Sequence, residues 1–140
     1  MITGAVTIGL NLLAMAVGGV AWSRSSPSLA FWQLLRLAQL ATAVFVLFEA
    51  VIYATGARAE YGLHYLYAFL PVFASLLAEG TRAASARQEL GERDLEDLDQ
   101  REREELAVAV IRRETGVMAI SGLVVGFLVW RAVETTAGMF

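Results

Sequence analysis

The sequence predicts an all-α fold: a four-span transmembrane helical bundle with a cytoplasmic helical hairpin between helices 3 and 4. Of the 140 residues, 57% are hydrophobic, which exceeds the ~45–50% typical of globular domains. Ten of the 14 acidic residues and seven of the 11 basic ones lie within residues 80–115. The rest of the chain consists of apolar runs long enough to cross a hydrocarbon core about 30 Å thick. Together these observations predict a single membrane domain whose first partner is the lipid bilayer.

The first predicted span covers residues 5–22, which carry no charge and would form a helix about 27 Å long. A cleaved signal peptide needs a positive stretch before its apolar run and small residues after it, and Trp22 and Arg24 stand where the cleavage site would be. We therefore expect a retained helix. Small and weakly polar residues recur along it at helical spacing, a pattern suited to close helix packing: Gly4, Thr7, Asn11, Met15 and Gly18.

The second, third and fourth predicted spans cover residues 29–55, 62–79 and 115–133. Ser28 is a suitable N-cap for the second span, because its side-chain oxygen can accept a hydrogen bond from a backbone N–H of the first turn. Pro71 predicts a kink inside the third span, which a membrane bundle tolerates when neighbouring groups satisfy the carbonyl that loses its partner. The fourth span contains a small-xxx-small pair, Gly122 and Gly126.

The charged segment 80–114 is predicted to form the hairpin. Its first arm continues the third span to Leu90, and Gly91 interrupts the helix. Its second arm is predicted to begin at Asp99, which stands three residues before Glu102, the spacing of a capping box. This arm should then run without a break into the fourth span.

The placement of arginine predicts the orientation of the chain. The hairpin holds seven of the 11 basic residues, and the positive-inside rule counts arginine while giving acidic residues little weight. We therefore expect a multi-pass protein of the cell (inner) membrane of a bacterium, with residues 80–114 in the cytoplasm. Four spans then place the loop 23–28 in the cytoplasm as well, and both termini outside.

Polar side chains share one face of the second span and one face of the third. Ionisable groups avoid lipid, so the two faces are predicted to meet inside the bundle. Residue depth separates them into two groups. The distal cluster, far from the hairpin and expected at the outer leaflet, contains Glu49, Tyr53, His64 and Tyr67. The proximal cluster, near the hairpin, contains Arg36, Gln39 and Glu79, with Arg36 expected to pair with Gln39 or Glu79 or to extend its guanidinium to the headgroups.

The two clusters allow more than one interpretation. They can act as hydrogen-bonding glue between helices. The distal cluster can instead form a ligand pocket, in which His64 and Tyr67 donate to the carbonyls of a quinone and Glu49 accepts a proton. A third interpretation is a proton or ion pathway through Glu49, Gln39 and Arg36, although the positive charge of Arg36 would repel cations.

Two resemblances concern the same helices. The run from Leu63 to Tyr67, with His64 at the head of a membrane helix, resembles the histidine-bearing helices of four-helix b-type cytochromes and haem A synthases, which implies haem. Those bundles use paired histidines and this chain has one, so haem would need a second protomer or a single axial ligand. The whole layout, including the sequence from Arg112 to Gly116, is similar to uncharacterised small four-helix membrane proteins of high-GC bacteria, a resemblance that implies no activity.

Composition excludes several classes of function. The net charge of −3 argues against a nucleic-acid surface. With no cysteine and one histidine, we expect no metal site. The sequence thus predicts a small, non-enzymatic integral membrane protein that acts as a homo-oligomer or as an accessory subunit of a membrane complex, with the hairpin as its docking surface. The alternative is a quinone- or haem-binding redox protein with its pocket at the outer leaflet.

Overall fold

The computed structural model describes residues 2–56, 59, 62–92, 94 and 96–136. It contains four helices, α1 (Ile2–Ser23), α2 (Leu29–Ala54), α3 (Leu63–Leu90) and α4 (Gln100–Thr135), and the described residues include no strand. Each helix is long and apolar enough to cross a membrane. The all-α, four-helix prediction is therefore confirmed. Residues 57, 58, 60 and 61 of the predicted second turn, and 93 and 95 of the hairpin, lie outside the described residues.

The helices begin and end at the signals in the sequence. The Ser28 side chain accepts a hydrogen bond from the backbone N–H of Phe31 at 3.2 Å. Asp99 and Glu102 form a reciprocal capping box, with bonds of 2.8 and 2.9 Å. Gly91 ends α3 with φ of 65°, a backbone conformation that glycine adopts without steric cost. These predicted boundaries are confirmed.

The third and fourth helices are longer than a bilayer requires. α3 has 28 residues and α4 has 36, which correspond to about 42 Å and 54 Å against a hydrocarbon core of about 30 Å. The parts of α3 and α4 that exceed this length form a helical hairpin at one end of the bundle. Arg113 on α4 and Glu89 on α3 join its two arms through an ion pair of 2.9 Å.

The four helices do not pack evenly. α4 packs along both α1 and α3, α1 also packs along α2, and α2 packs less closely on α3 than these pairs do. The bundle is therefore closed on three sides and partly open on the fourth. We call the opening between these two helices the α2/α3 groove.

Small residues allow the closed sides to pack tightly. A Cβ atom added to Gly18 would lie 2.5 Å from Cε2 of the buried Phe31, and one added to Gly122 would lie 3.1 Å from the backbone oxygen of Asn11. Large apolar side chains point outward instead, including Leu47, which is 66% exposed, and Phe73, which is 68% exposed. Small residues inside and large apolar residues outside are the arrangement expected of helices that pack in lipid.

Candidate functional site

The distal cluster is built around His64, which lies fully buried in the first turn of α3. Its Nε2 atom lies 3.1 Å from Oε2 of Glu49 on α2. Its Nδ1 atom lies 3.1 Å from the backbone oxygen of Ala132 and 3.2 Å from Oγ1 of Thr135, both on α4. A single imidazole thus connects three helices at the end of the bundle opposite the hairpin.

The partners of His64 determine where its protons can be. Because a backbone carbonyl only accepts hydrogen bonds, Nδ1 of His64 carries a proton and donates it to Ala132. Nε2 is the ring nitrogen that faces the Glu49 carboxyl. Both ring nitrogens are therefore engaged by protein atoms, so neither is open to a ligand.

The two tyrosines of the distal cluster contact other aromatic, apolar and cationic groups. Tyr53 stacks edge-on against Tyr65, with 5.0 Å between ring centroids, and Tyr65 in turn stacks against His64 at 5.4 Å. Tyr67 packs against the apolar core, and the Arg131 guanidinium lies 5.6 Å from its ring centre. The tyrosine ring that stacks on the imidazole is therefore that of Tyr65, which was not among the predicted members of the distal cluster.

The described residues enclose a small cavity beside the His64–Glu49 pair. A cavity of about 50 Å³ adjoins Glu49 and is lined by residues of α1, α2 and α4. A liquid water occupies about 30 Å³, whereas sites for drug-sized ligands measure about 300–1,000 Å³. The cavity accordingly has room for water and not for a quinone ring.

The proximal cluster brings its three predicted members together and adds a fourth. The Nη1 atom of Arg36 donates to Oε1 of Glu79 at 2.9 Å and to Oε1 of Gln39 at 2.7 Å. The Nε2 atom of Gln39 donates to the same Glu79 oxygen at 2.7 Å. Arg82, one turn further along α3, donates from Nε to the other Glu79 oxygen at 2.8 Å. One carboxylate therefore holds two guanidinium groups.

This cluster stands at the mouth of the α2/α3 groove. The groove contains a cavity of about 230 Å³, with the polar cluster at one end and Ala43, Val72 and Leu76 along its walls. The Arg36 side chain is 57% exposed and that of Glu79 is 26% exposed, whereas the His64 side chain is fully buried. Among the described residues, the cavity that borders the proximal cluster, at about 230 Å³, is larger than the one of about 50 Å³ beside Glu49.

Sequence reasoning missed two polar contributions. Arg82 was assigned to the charged hairpin, although its spacing from Glu79, three residues along one helix, is a signal for an ion pair. The second is a hydrogen bond from Asn11 of α1 to Oγ1 of Thr42 on α2 at 3.2 Å, between two buried side chains. Asn11 was recognised as part of a packing stripe, but nothing in the sequence indicated Thr42 as its partner.

The described residues contain no group of three or more histidine, aspartate or glutamate side chains arranged to hold a metal ion. Comparison of the chain with protein-family models, with curated proteins and with solved structures finds no match. Any functional inference therefore depends on the geometry described above.

Proposed function

We propose that this chain is a non-enzymatic subunit of the bacterial inner membrane that anchors a cytoplasmic helical hairpin, through which it associates with another copy of itself or with another membrane protein. Its four apolar helices support the multi-pass part of this proposal. The observation that carries the rest is the exposure of the second hairpin arm. The arm is as regular as the helix it extends, yet none of its residues is buried.

The two halves of α4 differ sharply in burial. Residues 115–132 include ten buried residues, whereas none of residues 100–114 is buried. Even so, the exposed half contains six consecutive apolar residues at positions 106–111, and Val108 is 48% exposed. A run of this length faces all sides of a helix, so one arm of a hairpin cannot cover it. An exposed apolar segment within a charged surface is typical of a protein interface.

The redox alternative has less support from the geometry. Haem ligation would require His64 to give up a hydrogen bond at Nδ1 or Nε2, and the cavity beside Glu49 holds only about 50 Å³. An absorbance spectrum of the purified protein tests this alternative directly. A Soret band at one haem per chain, or one quinone per chain by extracted-lipid mass spectrometry, would overturn the non-enzymatic assignment.

The predicted orientation can be tested without background because the chain contains no cysteine. Gln88→Cys places a thiol on the first hairpin arm, and Thr55→Cys places one at the opposite end of the bundle; both positions are exposed. In intact spheroplasts, a membrane-impermeant maleimide should label Thr55→Cys and leave Gln88→Cys unlabelled until the membrane is opened. The reverse pattern would invert the proposed topology.

Association through the hairpin can be tested by photo-crosslinking in intact cells. A photoreactive phenylalanine analogue at Val108 should form one predominant protein adduct in high yield, whose mass identifies a second copy or a different chain. The same analogue at the exposed Gln88, on the other arm, is the matched control. A Val108→Asp variant should abolish a second crosslink placed at Ala107. If position 108 yields no protein adduct, or only the adducts that position 88 also yields, the docking role is wrong.

A further inference from the structure

We propose that the α2/α3 groove is a binding site for one anionic phospholipid of the leaflet on the hairpin side. In this assignment the lipid phosphate lies between the guanidinium groups of Arg36 and Arg82, and part of one acyl chain occupies the groove. This proposal does not depend on the docking role of the hairpin.

The charge of the proximal cluster favours an anion. Glu79 is the one carboxylate bonded to both Arg36 and Arg82, so the three side chains together carry a net charge of +1. Glu79 uses one oxygen for each arginine, and Gln39 supplies a further hydrogen bond to it. The carboxylate carries a single negative charge, so it cannot neutralise both guanidinium groups.

Hydrogen-bond donors remain open on both arginines. Among the described residues, Nε and Nη2 of Arg36 have no acceptor, and neither has either Nη atom of Arg82. A phosphodiester offers two oxygens that share one negative charge, which suit the planar donor groups of guanidinium. At the membrane interface a lipid phosphate can supply these acceptors.

Position along the helices places the arginines near the headgroups. The Arg82 guanidinium lies 5.7 Å from the ring centre of Trp32, and tryptophan prefers the membrane interface. Arg36 stands one turn, about 6 Å, deeper than Trp32 along α2, within the reach of a side chain that extends toward the interface. A second cavity of about 310 Å³ lies on the hairpin side of the two arginines, with Trp32 and Glu114 among its lining residues. This cavity supplies space for a headgroup, and because Glu114 lines it, a headgroup without a second negative charge, such as glycerol, suits it.

The size of the groove selects an acyl chain over a protein helix. One turn of helix, about 10 Å wide and 5.4 Å long, occupies roughly 400 Å³. The cavity measures about 230 Å³ and is lined by both charged and apolar side chains. It is therefore too small to enclose a helix turn, but it fits several methylene groups beside a charged head. Ala43, Val72 and Leu76 supply the apolar walls that such a chain would contact.

Native mass spectrometry of the full chain in mild detergent tests the site. The chain is mixed with equimolar phosphatidylglycerol and phosphatidylcholine that carry identical acyl chains. We expect one retained phosphatidylglycerol, favoured by about tenfold, because both lipids carry the phosphate but phosphatidylcholine adds a quaternary ammonium whose positive charge would lie close to the two guanidinium groups. Arg36→Gln and Arg82→Gln should each lower its retention by about tenfold. Arg24→Gln removes an exposed arginine outside the groove and should leave retention unchanged.

A second pair of variants tests the chain-binding part without changing charge. Ser75→Leu places a larger side chain in the groove and should lower phosphatidylglycerol retention, whereas Ala54→Leu, at the far end of α2, should not. Added sn-glycerol 3-phosphate, a phosphate without acyl chains, should fail to displace the lipid. Equal retention of the two lipids, an equal loss with Arg24→Gln, no loss with Ser75→Leu, or displacement by glycerol phosphate would each overturn the assignment.

Discussion

The His64–Glu49 pair and the proximal cluster contain similar chemical groups at opposite ends of the same two helices, but their surroundings differ. Around His64, α4 closes against α2 and α3, and every polar atom of the imidazole bonds to protein. Around Arg36, α2 and α3 leave a groove, and the guanidinium keeps open donors. A polar cluster between membrane helices can therefore hold the helices together or leave its hydrogen-bond donors open to a ligand. The distance between the helices determines which of the two applies.

The largest loss of stability is expected from substitutions in the His64–Glu49 pair. His64→Ala should lower the free energy of unfolding by about 3 kcal/mol, because it leaves the carboxyl of Glu49 buried without its partner. Denaturation in mixed micelles of SDS and a mild detergent, followed by circular dichroism, measures the change. The double variant His64→Leu with Glu49→Leu removes both polar groups and should recover most of the loss. If the double variant is as unstable as His64→Ala, the pair is not the source of stability.

A smaller loss of stability is expected where α1 packs closely against α2. Gly18→Ala should cost about 2 kcal/mol, since its Cβ atom would lie 2.5 Å from the buried ring of Phe31. Gly19→Ala is the matched control, because an added Cβ atom there has no neighbour within 4 Å, and alanine favours a helix by up to about 1 kcal/mol over glycine. The same denaturation series compares them. Equal effects of the two substitutions would show that α1 does not pack as described.

The hydrogen bond between α1 and α2 should contribute less. Asn11→Leu keeps a similar side-chain volume and removes the donor to Thr42, so we expect a loss of about 1 kcal/mol. A double-mutant cycle with Thr42→Val isolates the interaction and should give a coupling energy of about 0.6 kcal/mol. Strictly additive effects would contradict a direct contact.

The smallest effect on stability is expected at the open end. Arg36→Gln should change the free energy of unfolding by less than about 1 kcal/mol in the same micelles, because the Arg36 side chain is 57% exposed and Glu79 keeps its bonds to Gln39 and Arg82. A loss as large as that of His64→Ala would remove the contrast between the two ends. It would also show that the proximal cluster holds α2 and α3 together.

Much of the fold could be predicted from local signals. The apolar runs predict four helices, and Ser28, Gly91 and Asp99 mark boundaries that the structure confirms, because capping depends on residues a few positions apart. The candidate site was harder to predict from the sequence. Periodicity placed Glu49 and His64 at one depth, and the structure has them 3.1 Å apart. It favoured Tyr67 over Tyr65, because it has no information on how the first turn of α3 is rotated relative to α2.

The sequence by itself determined where the chain is helical, where each helix is capped and which residues are too polar to face lipid. These features depend on residues that lie close together along the chain. Only the tertiary structure decided that α4 packs between α1 and α3, that Arg36 bonds to both Gln39 and Glu79, and that the α2/α3 side stays open. Helix packing depends on the fit of whole side-chain surfaces, and here that fit encloses His64 at one end of the bundle and leaves Arg36 accessible near the other.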